Sequence, residues 1–176
     1  ESWETMLACW RRVYEAAALE KGKDRLLFAF SFGPFLGFWT AFEAAAKDYL
    51  VIPAGGLSSQ ARLEAMVRYG VTVLCCTPTY AQRLGEMIGN ASGIERLGLR
   101  VRKIIVAGEV GGSIPEVRKR IESLWDCEVF DHHGMTEVGP VSHELPGHPG
   151  TLCVMEDAYF AEVVNPDTLT EVAEGE

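Results

Sequence analysis

The sequence predicts an α/β fold: a mostly parallel sheet with helices on both faces, ending in a β-rich stretch. Three observations predict it. Four short apolar runs are each followed by a segment with helical spacing. Those runs are continuously apolar rather than alternating, as strands covered on both faces are. Beyond Gly134 the texture changes, and Pro, Gly and His replace the helical period. With 176 residues, 48% of them hydrophobic, the chain can bury one sizeable core, so one domain over 1–176 is expected.

Residues 3–20 place Trp3, Met6, Leu7, Trp10, Val13, Tyr14, Ala17 and Ala18 at three- and four-residue spacings, the apolar face of an amphipathic helix. Lys21-Gly22-Lys23-Asp24 ends it. Leu26–Phe32 reads as a strand closed by Gly33-Pro34, with Leu36–Ala46 as the helix after it. Tyr49–Pro53 repeats the strand and Ser59–Tyr69 the helix, where the hydroxyl of Ser58 or Ser59 can accept from a free amide of the first turn. Val71–Cys76 is the third strand. Thr77-Pro78-Thr79-Tyr80 then turns into a helix near Ala81–Ile88, followed by a polar loop at Gly89–Gly98 and a buried strand at Lys103–Ala107. Pro115 falls in the first turn of a helix over Glu116–Trp125, where its missing amide hydrogen costs nothing. Glu128–Asp131 is the next strand. Residues 138–151 read as loop, Leu152–Met155 and Tyr159–Val164 as strands joined by a turn, and Asn165-Pro166-Asp167 as a further turn.

Charge and composition exclude several function classes. Twenty-five acidic residues against 16 basic give a net charge of −9, with no run of Lys or Arg to follow a phosphate backbone, so nucleic acid is not an expected partner. The longest apolar stretches fall far short of the roughly 20 residues of a membrane helix. Five cysteines in no even framework point to a reducing, cytoplasmic setting. The chain starts at Glu1 without an initiator Met and stops at Glu176 without a polar tail, so both ends are expected to lie inside a longer protein.

Ligands of open parallel sheets bind outside the carboxyl ends of the strands. Reactive residues are therefore sought there, at Phe32-Gly33-Pro34-Phe35, Thr77-Pro78-Thr79-Tyr80, Ala107-Gly108-Glu109 and Asp131–Glu137. The last combines a glycine that admits a ligand to the backbone, a hydroxyl and a carboxylate within four residues. These suit a nucleotide and its metal: Thr136 can hydrogen-bond a phosphate oxygen, Glu137 can hold Mg²⁺, a hard cation that prefers oxygen ligands, and the flat imidazole of His133 can stack on a base. The same residues also fit a plain helix start with an acidic first turn.

Asp131-His132-His133-Gly134-Met135-Thr136-Glu137-Val138-Gly139-Pro140 resembles the Tyr-Gly-x-Thr/Ser-Glu motif of adenylate-forming enzymes, in the form seen in phenylacetate–coenzyme A ligases. Val51-Ile52-Pro53 with Gly55-Gly56, Val73–Tyr80, Val106-Ala107-Gly108-Glu109, Glu156-Asp157 and Val164-Asn165-Pro166-Asp167-Thr168 resemble that family in the same order, so the match covers nearly the whole chain. The resemblance implies a central fragment of the large amino-terminal domain of an acid–thiol ligase. A carboxylate attacks the α-phosphorus of ATP to give an acyl-adenylate and pyrophosphate, and the thiol of coenzyme A then takes the acyl group. By carry-over, Thr136 contacts phosphate and Glu137 holds Mg²⁺; Ala107, Gly108 and Glu109, with Asp131, His132, His133, Gly134 and Met135, form the nucleotide site. Phe32, Phe35, Ala107 and Gly134 line the acid pocket. His133 stands where the family usually has Tyr. The family's phosphate loop lies upstream of this stretch, and its ribose-binding Asp, hinge and mobile lysine lie downstream.

Other readings stay beside this one. Most rings of the segment Phe28–Phe42 are expected in the core, with Phe32 and Phe35 favoured for the pocket because they flank Gly33-Pro34. Cys75 and Cys76 behave as small hydrophobes. His143, His148 and Cys153 are a zinc alternative, although some phenylacetate ligases carry a Cys where this chain has Leu145 and a His where it has Cys153. Gly111-Gly112-Ser113 is an anion site or a capped turn. The acceptor can instead be the phosphopantetheine arm of a carrier protein, and a non-catalytic nucleotide-binding module of the same fold is a rival from another class. A dinucleotide oxidoreductase is disfavoured, since no strand precedes Gly-x-Gly-x-x-Gly.

Overall fold

The computed structural model describes residues 2–90 and 98–173. Its elements are α1 (Ser2–Ala16), β1 (Arg25–Phe28), α2 (Leu36–Ala46), β2 (Leu50–Pro53), α3 (Ser59–Tyr69), β3 (Val73–Cys76), α4 (Pro78–Asn90), β4 (Lys103–Val106), α5 (Pro115–Trp125), β5 (Glu128–Met135), β6 (Gly139–Leu145) and β7 (His148–Val154). The strands form one sheet in the order β2-β1-β3-β4-β5-β6-β7. Pairing is parallel from β2 to β5 and antiparallel from β5 to β7. The mostly parallel sheet and β-rich end match the expectation.

Period-two alternation explains the helices on both faces. Leu26, Phe28, Val73, Cys75, Ile105 and Phe130 point to the side covered by α1 and α2. Their neighbours Leu27, Leu74, Cys76, Ile104, Val106 and Val129 point to the side covered by α3, α4 and α5. Ser58 caps α3 by accepting from the Ala61 amide, and Gly70 ends it in the left-handed conformation.

Several boundaries differ from expectation. The first helix stops at Ala16, and Ala18 turns left-handed at φ 53°, so Ala17 is buried by the loop rather than by a further turn. β1 stops at Phe28 because the chain leaves the ladder toward Phe32, itself left-handed at φ 45°. The polar loop expected at Gly89–Gly98 falls largely on residues 91–97, outside the described residues.

The largest correction lies at the functional end. β5 does not stop at Asp131 but runs to Met135, because β6 supplies an antiparallel partner for His132–Met135. Residues read as a loop over 138–151 instead form β6 and most of β7. The prolines are admissible there, since Pro140 follows the turn and Pro149 lies in an edge strand. Tyr159–Val164 is not a strand; one isolated bridge, Val164 to Glu171, is its regular pairing.

A buried ion pair fastens this end. Arg118 on α5 pairs with Glu144 on β6 at 2.5 Å and donates to the carbonyls of Gly112 and Val129. Glu144 also accepts from the Gly150 amide on β7 at 3.1 Å. At the opposite, amino ends of the strands, the buried Asp24 before β1 takes the part-exposed Arg102 at 2.5 Å and the Thr72 hydroxyl at 2.7 Å. Burial raises the Asp24 carboxyl, but those hydrogen bonds outweigh it and hold its pKa below the ordinary value.

Candidate functional site

Two cavities open at the carboxyl ends of β4 and β5, where the chemistry was sought. The first, about 410 Å³, lies between the residues after β4, the start of α2 and the β5–β6 turn. One side of it is aromatic: Trp10, Phe30, Phe38 and the half-exposed Phe35, with Phe30 and Phe38 stacked at 4.0 Å between centroids. Its rim carries Thr136 and Glu137. The second, about 350 Å³, is lined by Glu109, the Gly111–Ser113 turn, Asp131, His133 and Leu152.

The cavities share a wall of Gly108, His132 and Gly134. Two of these have no side chain, and each needs that lack for its own reason. Gly108 sits at φ +90°, a region that L side chains rarely adopt. Gly134 lies at an irregularity in the β5–β6 register, where an added Cβ would be 2.7 Å from the carbonyl oxygen of Gly139. The residue pattern of the motif is therefore a feature of hairpin packing as well as of access. Thr136-Glu137-Val138 is the turn of that hairpin, so the helix-start reading is overturned: an antiparallel strand follows, not a helix.

His132 is 6% exposed, its ring 4.4 Å edge-on to Trp10, and neither ring nitrogen has a hydrogen-bond partner among the described residues. Burial pushes its pKa down to about 4, so it is neutral at pH 7. Asp131 accepts from the Ser113 hydroxyl at 2.6 Å, fixing the Gly111–Ser113 turn against β5, and burial raises its pKa. Glu109 accepts from the Thr79 amide at 2.7 Å, and hydrogen bonding, first from the Thr79 side chain and then from that amide, lowers its pKa. Its carboxylate thus caps α4. Burial raises the thiol pKa values of Cys75 and Cys76, in keeping with inert core cysteines.

Of the sequence-predicted residues, Phe35, Ala107, Gly108, His132, Gly134, Met135, Thr136 and Glu137 meet around the first cavity, while Glu109, Asp131 and His133 border the second. Phe32 corrects the expectation: its ring packs on Trp39 and Phe42, at 5.0 and 5.5 Å, and does not line either cavity. The zinc alternative is not assembled. His143 and Cys153 are cross-strand partners, but His148 lies opposite Leu145 at the other end of β7, and the described residues hold no group of three metal-binding side chains. Trp10, Phe30 and Phe38 were missed. Their helical or strand periodicity marks them as core, and nothing local distinguishes a core ring from a pocket ring.

Residues 4–176 match the family model described as AMP-binding enzyme. Among curated proteins, the chain is 27% identical to a phenylacetate–coenzyme A ligase of Escherichia coli (strain K12) over 179 residues, covering 100% of the chain and 40% of that protein. It is also 27% identical over 153 residues to a phenylacetate–coenzyme A ligase of Thermus thermophilus, covering 84% of the chain and 33% of the relative. The chain thus spans two fifths or less of the length of these relatives. Among solved structures, an open conformation of 2-hydroxyisobutyryl-CoA ligase in complex with 2-HIB-AMP and CoA superposes with a TM-score of 0.88 at 21% identity, over 99% of this chain and 41% of that one. A benzoate CoA ligase from Burkholderia xenovorans LB400 gives 0.64 at 20%, over 96% and 35%. These two likenesses are of fold.

Proposed function

Because this chain belongs to the AMP-binding enzyme family, the adenylate-forming enzymes, we propose that it serves the ATP-dependent activation of a carboxylic acid, aryl or arylacetic, followed by transfer of the acyl group to coenzyme A. The observation that carries this reading is the pair of cavities meeting at a wall of Gly108, His132 and Gly134. One is lined by aromatic rings and suits an organic acid. The other is bordered by His133 and by backbone after β4 and suits a base. A wall of two glycines suits a reaction that joins the two ligands covalently. The names of the curated relatives support an aromatic acid and coenzyme A as acceptor.

In the first half-reaction an oxygen of the acid's carboxylate bonds to the α-phosphorus of ATP, and the bond to pyrophosphate breaks with its electron pair leaving on pyrophosphate. The chain's own residues hold the partners in line. In this reading Thr136, at the rim of the first cavity, donates its hydroxyl hydrogen to a phosphate oxygen, and the rings of Phe35 and Phe38 hold the organic part. Glu137 fits a Mg²⁺ ligand: its exposed carboxylate is at the cavity rim with no hydrogen bond or ion pair among the described residues. Bound there, Mg²⁺ supplies positive charge against the phosphate oxygens. In the second half-reaction the thiol adds to the acyl carbonyl carbon, the carbon–oxygen bond to AMP breaks, and the thiol proton is lost.

In domain terms this reading makes the chain the central part of the family's large amino-terminal domain, a part that spans 40% of the length of the Escherichia coli relative. All five cysteines are free, which suits a reducing cytoplasm, and no helix among the described residues is long and apolar enough to cross a membrane. Pyrophosphate exchange by the full-length enzyme over a panel of acids, with and without coenzyme A, tests the proposal. Exchange should need acid but no thiol, and thioester should form with coenzyme A. Exchange that ignores the acid overturns the reading; thioester only on a carrier protein replaces the acceptor.

A further inference from the structure

We propose that Gly37 sets the size of the acid: the side chain it lacks leaves room that a ring-sized organic part occupies. The inference rests on the adenylation reading and adds a specificity-determining residue to it. Gly37 lies in the first turn of α2 and lines the first cavity but not the second. Its place on the helix fixes where a side chain would go. Thr40, Ala41, Ala44 and Ala45, which follow it at helical spacing on one face, are all buried, whereas Leu36, Trp39 and Glu43 are exposed. Gly37 therefore stands at the centre of the inward face. One turn further along that face the indole of Trp10, a wall of the same cavity, donates to the Thr40 hydroxyl at 3.1 Å.

Neither backbone nor packing asks for glycine at this position. The backbone of Gly37 is helical and has no positive φ, and alanine is the better helix former. Beyond its own helix backbone and chain neighbours, an added Cβ would meet no heavy atom within 4 Å among the described residues. Gly85 in α4 is the contrast. A Cβ there would stand 2.8 Å from the Leu124 Cβ and 2.9 Å from the Trp125 Nε1, so helix packing accounts for that glycine. An inward-facing position with no close neighbour opens instead on the cavity that it lines. At about 410 Å³ this cavity is toward the small end of ligand sites, which run from about 300 to 1,000 Å³, so Gly37→Leu takes space that a phenyl ring needs.

The test uses the full-length enzyme in pyrophosphate exchange with acetate, butyrate, benzoate, phenylacetate and 3-phenylpropionate, and compares the largest with the smallest acid that the wild type activates. In Gly37→Ala, kcat/KM for the largest acid should fall about tenfold, the effect of one methylene in an apolar pocket, while that for the smallest changes less than about threefold. In Gly37→Leu the loss for the largest should reach about a hundredfold or more. KM for ATP should stay within about twofold of the wild type in both, because the second cavity does not include Gly37. The melting temperature of Gly37→Ala should not fall. A size ratio unchanged in Gly37→Ala, or an equal loss for every acid, overturns the assignment alone, whether or not Gly37→Leu folds. Exchange with no acid at all overturns the adenylation reading and this assignment with it.

Discussion

Glu137 and His132, five residues apart, have opposite surroundings, and their substitutions should fail in opposite ways. Glu137 is exposed on a turn, so Glu137→Gln should leave the melting temperature nearly unchanged. If the carboxylate holds Mg²⁺ against the departing charge, kcat for adenylation should fall by about a hundredfold or more, by analogy with loss of one electrostatic transition-state contact. Near-normal pyrophosphate exchange in this variant would remove the metal role. His132 instead couples to stability. Its pKa is depressed from the ordinary 6.5 to about 4, so the unfolded chain binds more protons between those values. Its contribution is fully present above pH 6.5 and is lost as pH falls toward 4, amounting to roughly 3 kcal/mol. Urea denaturation at pH 7 and pH 4.5 should show a steeper loss for the wild type than for His132→Phe; parallel losses would mean the imidazole is hydrated in the folded state. Phe35, half-exposed at the cavity, should when changed to Ala raise KM for the acid more than for ATP. Equal rises, or a fall in thermal stability alone, would place the ring in the core. At this scale the sequence was most legible where identity carries chemistry, as at Thr136 and Glu137, and least where it does not. Phe32 and Phe30 are the same residue two positions apart. Only the left-handed turn at Phe32 and its packing on Trp39 decide which one faces the cavity.

Elements with a strong local signal appear where expected. α2 and α3 have the predicted bounds, the first because Gly33-Pro34 precedes it and the second because Ser58 and Gly70 cap it. The continuation of β5 was illegible because strands β6 and β7 are cut by Pro140, Gly147, Pro149 and Gly150, and their pairing comes from one another rather than from periodicity. What holds that hairpin pair to the helices is the Arg118–Glu144 ion pair with its carbonyl and amide hydrogen bonds. Arg118→Ala leaves Glu144 buried and unpaired, so it should cost about 3–5 kcal/mol. Arg118→Met, which fills the space, should not recover more than part of that while Glu144 stays charged. Chemical denaturation measures both, and a loss below about 1 kcal/mol, the range of exposed pairs, would mean that the pair is solvated.

For the molecule as a whole, the α/β layering was readable because both faces of β1, β3 and β4 are apolar, whereas the cavities exist only once residues from α1, α2, the β4 end and β5 are brought together. The 176 residues span two fifths or less of the curated relatives' length. The chain by itself should therefore give no acid-dependent pyrophosphate exchange, while the full-length enzyme should; exchange by the isolated chain would mean that its own residues suffice. The wall between the cavities also bears on how such a site can diverge. Mass cannot be added at Gly134 without striking the Gly139 carbonyl, nor at Gly108 without a strained backbone. Adaptation to a new acid is thereby channelled away from the partition and onto Phe35 and Phe38, which line the first cavity and not the second, so that one substitution there leaves the neighbouring compartment intact. The same two glycines that separate the cavities divide the site into a part that variation can explore and a part that it cannot.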